Sequence, residues 1–246
     1  MRAPPSGVVG PLASAPRAER RVGESTRVLA LAWKDVLVEA RTRANFGAVV
    51  AFAALMLVLF GFALGPDQEA LTQAAAGVLW ITVIFSSVLA FGRAYQFELE
   101  DGALDVLLLY PGDRRSLFLG KFLGALAFVL AVEAAVVPMA GVLYRLPILG
   151  ALGRLVPILA LGTVGVVALG TFYAGMASRV RAREVLLPLL LFPMLAPLVI
   201  AAVKGTHVAL VGDPVAAQVN WLGLLAGFDA IFLAAAYLLF GAVLED

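Results

Sequence analysis

The chain has 246 residues, 62% of them hydrophobic and 14% charged, with a formal net charge of +1. A soluble domain is about half apolar and a quarter charged, so this composition points to an integral membrane protein and away from an ordinary water-soluble fold. The absence of cysteine and the single histidine, His207, exclude a disulfide frame, a thiolate metal site, a cysteine nucleophile and a histidine cluster.

Residues 1–23 are rich in Pro, Ala, Gly and Arg and contain no apolar run long enough to span a bilayer. Ala13-Ser14-Ala15 has the look of a signal cleavage site, but Pro16 follows it and no apolar segment precedes it. The expectation is a disordered cytoplasmic tail. From Glu24 to Arg43 the pattern predicts an interfacial helix, with Ser25 or Thr26 as its cap. Leu29, Trp33, Val36, Leu37 and Ala40 line one face, and Arg27, Lys34 and Arg41 lie elsewhere. Such a helix is either a plain membrane-surface anchor or an elbow that frames the first span of a transporter.

Six apolar spans follow, near Phe46–Gly65, Ala74–Gly92, Ser116–Tyr144, Leu155–Ala177, Val185–Val203 and Trp221–Val243. Each is long enough to cross a hydrocarbon layer of about 30 Å. The third is overlong, so it should tilt, or Lys121 should snorkel to the inner interface. The segment to Asn45 and the loops after spans two and four hold fifteen Lys and Arg, against three on the other side: Arg145, Arg154 and Lys204. The positive-inside rule therefore puts both termini in the cytoplasm and places Trp80 and Trp221 in the outer half or at the outer interface. His207 falls in an outer loop, Lys204–Asn220.

The one long charged segment between spans is Arg93–Lys121, on the cytoplasmic side. Read as a helix, Glu98, Asp101 and Asp105 share one side, while Tyr95, Leu99, Ala103, Val106 and Tyr110 share another. Pro111-Gly112 ends it and Asp113 can cap the next helix. A helix of this kind lies on the membrane surface and offers its polar side to a partner. It does not bind nucleotide phosphates: Gly120-Lys121 is followed by Phe122, and position 115 is Arg where a phosphate loop needs Gly. Energy must come from another chain.

Inside the spans, Glu133 and Asp229 are the acids. A carboxylate at that depth costs about 3 kcal/mol on insertion scales, so each should face the bundle interior or a partner. Glu133 is open to two readings, a substrate-path or coupling residue, or a hydrogen-bonded packing residue; Asp229 fits the structural role better. Pro188, Pro193, Pro197 and Pro138 are possible kinks. Gly61/Gly65 and Gly223/Gly227 have the spacing of close helix contacts. Arg179, Arg181 and Arg183 form a basic inner loop that either fixes topology or meets an acidic patch on a partner. His207 reads as a surface residue rather than a haem ligand.

Several of these motifs together resemble the haem exporter protein B family, the permease-like subunit of the cytochrome c maturation ABC complex. They are Trp33-Lys34-Asp35 with Glu39, Arg41 and Arg43, the run from Phe97 to Arg114, and Leu119-Gly120-Lys121. Glu133 with Pro138, the run Arg181-Ala182-Arg183-Glu184-Val185-Leu186-Leu187-Pro188-Leu189, Phe228-Asp229 and Leu244-Glu245-Asp246 complete the set. The resemblance covers Arg27 to the carboxyl end. Residues 1–23 extend beyond the family's usual start, Tyr110 stands where a small polar residue is expected, and Asp105 where Glu is commoner.

The resemblance implies an all-α membrane domain over residues 24–246. It would have six transmembrane helices, an ABC-2-like permease fold, an amino-terminal amphipathic elbow helix, and a cytoplasmic coupling helix between spans two and three. Phe97, Glu98, Glu100, Asp101, Gly102, Leu104, Asp105 and Leu108 would dock on a separate ATPase. The implied setting is the bacterial inner membrane, with a haem-handling membrane subunit and a haem chaperone as further partners and no nucleic acid. Haem would be cargo, ATP would be bound by the partner, and this chain would hold no tight cofactor and catalyse nothing itself. The competing expectation is an ABC-2 permease for lipid, polysaccharide or drug. A membrane-embedded enzyme ranks last, since no histidine pair or nucleophile accompanies Glu133 and Asp229.

Overall fold

The computed structural model describes residues 24–41, 43–94, 114–177, 183–212 and 220–243. Among them are seven helices and no strand: α1 (Glu24–Arg41), α2 (Arg43–Leu64), α3 (Gln68–Ala94), α4 (Arg114–Leu143), α5 (Ile148–Ala177), α6 (Arg183–Val211) and α7 (Trp221–Val243). Helices α2 to α7 are each long and apolar enough to cross a membrane. A helix satisfies every backbone group within itself, which is why six apolar stretches of this length need no sheet.

Helix ends carry local chemical reasons. Gly65 closes α2 at φ 77° and returns its amide to Phe62, a left-handed ending that glycine adopts without steric cost. Two residues later the Asp67 carboxylate accepts from the amide of Glu69 at 3.0 Å and opens α3. Asn220 does the same for α7, accepting from the amide of Gly223 at 2.9 Å. Helix α4 begins at Arg114, directly after the Asp113 expected to cap it; Asp113 itself lies outside the described residues.

Three helices outrun their apolar cores. Helix α3 starts at Gln68 rather than Ala74, α5 at Ile148 rather than Leu155, and α6 continues to Val211 rather than Val203. The added turns of α3 and α6 contain polar groups and use them. The Gln68 amide donates to the Tyr144 carbonyl at 2.8 Å, and His207 Nε2 pairs with Gln73 Oε1 at 2.9 Å. His207 is therefore a helical residue of α6 and not a loop residue. A hydropathy window stops where side chains turn polar, whereas the helix stops where its hydrogen bonds do. The prolines of α6, Pro188, Pro193 and Pro197, all stand inside one helix.

Helix α5 is the hub. It packs against α3, α4, α6 and α7, and 67% of its membrane window is buried against 17% for α2. Its small residues let large neighbours in. A Cβ at Gly162 would fall into the Trp80 ring, and one at Gly170 into the Phe91 ring. Trp80 is fully buried and donates its indole N–H to Thr206 Oγ1 at 2.9 Å. It is a core anchor between α3 and α6, packed inside the protein whichever of the two expected depths, outer half or outer interface, it occupies. The reason is that α5 offers a glycine where the ring needs space, and α6 offers an acceptor for the N–H.

Candidate functional site

The cytoplasmic end of α4 is built as a junction. It follows directly on the segment 95–113 and is held from two sides. On one side α1 lies across it: Lys121 is 5% exposed and its Nζ is 3.2 Å from Asp35 Oδ2. Lys121 is thus buried and ion-paired, not a snorkelling chain. The pairing is possible because α1 and α4 approach closely. A Cβ at Gly120 would lie 2.6 Å from Leu31 Cβ, and one at Gly124 2.9 Å from Asp35 Cβ. On the other side the Arg115 guanidinium stands 5.5 Å from the Tyr237 ring centroid of α7, a cation–π contact. Phe118 packs on Phe240 of the same helix, ring centroids 5.2 Å apart.

Helix α1 is amphipathic, as expected, with Leu29, Trp33 and Leu37 exposed along one stripe. The face that holds it to the protein is the other one, through Leu31, Ala32 and Asp35. The expected close-contact glycines serve differently. Gly65 ends a helix, nothing would meet a Cβ at Gly227, and Gly223 faces its own cap, Asn220. Gly61 alone of the four meets a distant part of the chain, at the ring of Tyr144 just beyond α4. Gly120 and Gly124 have the same four-residue spacing and take that role.

The two intramembrane acids both turn inward, Glu133 4% and Asp229 6% exposed. Both pack on α5. Thr163 donates its hydroxyl to Glu133 Oε1 at 2.8 Å. Asp229 lies beside Gly165, where an added Cβ would come 2.6 Å from its Oδ1. Residues 163 and 165 are about 200° apart around a helix and about 3 Å apart along it. The acids thus flank α5 at similar depth on opposite sides. Both oxygens of Asp229 are buried without a hydrogen-bond partner among the described residues. Glu133 also lines a cavity of about 660 Å³ between α4 and α5, walled mainly by Leu, Val and Ala.

Other expected site residues fall elsewhere. Phe97, Glu98, Glu100, Asp101, Gly102, Leu104, Asp105 and Leu108 lie outside the described residues, as do Arg179 and Arg181; Arg183 opens α6. Among the described residues no group of three or more His, Cys, Asp or Glu is placed to hold a metal ion. His207 Nε2 is engaged by Gln73. The side chains that complete these sites, Thr163, Thr206, Gly165 and the Asp35–Lys121 pair, were not singled out for these contacts from sequence. Polar residues inside apolar spans were the available signal for the first two.

Residues 26–245 match the family model described as CcmB protein. Among curated proteins, the chain is 32% identical over 176 residues to "Heme exporter protein B" of Rhodobacter capsulatus, covering 70% of this chain and 78% of that protein. It is 31% identical over 192 residues to the protein of the same name from Paracoccus denitrificans, covering 77% and 87%. It is 25% identical over 189 residues to that of Pseudomonas aeruginosa, covering 75% and 82%.

Proposed function

The chain belongs to the CcmB protein family, and on that premise we propose that it is the membrane subunit of an ABC transporter complex for cytochrome c maturation. It couples ATP hydrolysis on a separate ATPase to haem export or haem-chaperone release outside the cytoplasmic membrane. The observation that carries the reading is the junction at the start of α4. A force applied to segment 95–113 enters α4 at Arg114, and α4 is tied there to α1 by Asp35–Lys121 and to α7 by Arg115–Tyr237. A push from an ATPase would therefore move three helices as a unit rather than one helix end.

In this reading the coupling helix is Phe97–Tyr110, and Glu98, Asp101 and Asp105 make its polar contact, since they share one side of a helix. Both termini and this helix face the cytoplasm, with Arg179, Arg181 and Arg183 on the same side. ATP is hydrolysed by the partner. A haem-handling membrane subunit and a haem chaperone complete the assembly, with haem as cargo. The names of the relatives favour haem over lipid, polysaccharide or drug as the object of transport.

The test is genetic. A strain lacking this chain should lose covalent haem staining of its periplasmic c-type cytochromes, and the wild-type chain should restore it. Normal staining in the deletion strain would overturn the proposal. The Asp101→Lys variant should still insert in the membrane yet lose most co-purifying ATPase; unchanged ATPase recovery would remove the polar-contact assignment.

A further inference from the structure

The end of the bundle opposite the α4 junction holds a pocket that the coupling reading does not use. It opens where the start of α5, the last turns of α6 and the start of α7 meet, and its volume is about 440 Å³. The floor is apolar and closely fitted. Gly205 of α6 faces Ile158 of α5 and Trp221 of α7; an added Cβ would come 3.2 Å from Trp221 Cβ and 3.4 Å from Ile158 Cδ1. The rim is polar. Arg154 and Asn220 both line the pocket and both are exposed. Asn220 uses its side-chain oxygen to accept from the Gly223 amide, so what it has left to offer is its NH2 donor. Arg154 is the one charged residue of the lining, and no ion pair or hydrogen bond engages it among the described residues. It lies six residues inside α5, about 9 Å from the helix end, in a helix that spans the membrane. A guanidinium at that level is costly in hydrocarbon. It is stabilised by reaching up to the headgroups or by an anion brought down to it. Ile158 stands one turn deeper on the same helix. The pocket thus sets a cation and an amide donor above an apolar floor, with no acid among its lining residues.

We infer that this pocket binds a phospholipid with an anionic head, its phosphate on Arg154 and Asn220 and the upper part of an acyl chain against Val208 and Ile158. Charge complementarity selects the head: the rim offers a cation and a donor, and charge-assisted hydrogen bonds from guanidinium to phosphate are the strong kind. A zwitterionic head brings an ammonium as well, and the lining has no acid to receive it. Depth selects the tail. A free phosphate would leave the apolar floor uncovered, whereas a lipid reaches the pocket from the bilayer with its chain already at the level of Ile158. The inference goes beyond the coupling reading and does not rest on it.

The experiment offers the purified full chain in detergent either palmitoyl-oleoyl phosphatidylglycerol or the phosphatidylethanolamine with the same acyl chains, and counts retained lipid by native mass spectrometry. The wild-type chain should retain phosphatidylglycerol about five-fold better. Arg154→Gln should abolish that preference, and Arg154→Lys, which keeps the charge, should lower it no more than about two-fold. Val208→Phe fills the pocket, leaves every charge in place and should lower phosphatidylglycerol retention about five-fold. Lys204→Gln removes an exposed cation of α6 that does not line the pocket and should change nothing. A melt of each chain accompanies the count, and the wild-type preference with Val208→Phe decides the matter if Arg154→Gln fails to fold. Equal retention of the two lipids by the wild-type chain would overturn the inference. So would equal losses from Lys204→Gln and Arg154→Gln, which mark a diffuse surface charge, or displacement of phosphatidylglycerol by inorganic phosphate alone, which marks a site for a free anion.

Discussion

Trp80 meets Gly162 and Thr206, which come from other helices. Nothing nearby in sequence announces them; Trp80 was legible only as to depth, the outer half or the outer interface, and not as to its partners. Their coupling is measurable. Trp80→Phe and Thr206→Val each remove the hydrogen bond, and a double-mutant cycle on thermal stability in detergent should give about 0.6 kcal/mol, with 1.7 as the ceiling for interhelical bonds in membranes. Additive effects would deny the bond. Glu133 and Asp229 were legible as inward-facing, because a carboxylate has no tolerable lipid-facing position. Their relation to each other was not legible, since it depends on Thr163 and Gly165 projecting to opposite sides of α5. The Thr163 hydroxyl donates to a buried carboxyl oxygen that has no other partner among the described residues, so Thr163→Val should destabilise the chain by about 1–3 kcal/mol. Thr163→Ser should restore most of that loss in the same melt; equal melts for all three chains would dismiss the contact.

At the scale of elements, α1 was recognisable by its apolar stripe, yet the stripe is the face it keeps exposed. Packing of α1 onto α4 depends on Gly120 and Gly124, two glycines among 24 in the chain, and on Lys121 meeting Asp35 86 residues away. Periodicity finds faces; it does not say which face meets protein and which meets lipid, because both are apolar in a membrane. The ion pair gives a test with a built-in control. Asp35→Lys or Lys121→Asp alone places like charges together at a largely buried site and should cost about 3–5 kcal/mol of stability, with loss of cytochrome c maturation. The exchanged pair, Asp35→Lys with Lys121→Asp, should recover a clear part of both. Failure of the exchange to recover either, in a chain that still inserts, would count against the clasp. Gly124→Leu should separate α1 from α4 by steric means and lower maturation without touching a charge.

For the whole molecule, the number of spans and their order were plain from hydropathy alone, since each needs only about 20 apolar residues. The elongated ends of α3 and α6 were not, because their added turns carry polar groups such as Gln73 and His207, which pair with each other. The orientation rests on fifteen basic residues against three. An alkaline phosphatase fusion in the turn at Arg145 should be active and one after Asp246 inactive; the opposite pattern would invert every assignment of side. What ties the scales together is the proposed transmission from a cytoplasmic motor through α4 to the bundle, and one measurement addresses it most directly. The tagged chain is drawn from its native membranes in mild detergent, the companions are identified by mass spectrometry, and the eluate is scanned for visible absorption. The account predicts an ATPase together with a haem-handling membrane protein, and a haem band that follows that second protein when the two are separated. An eluate without any ATPase would contradict it.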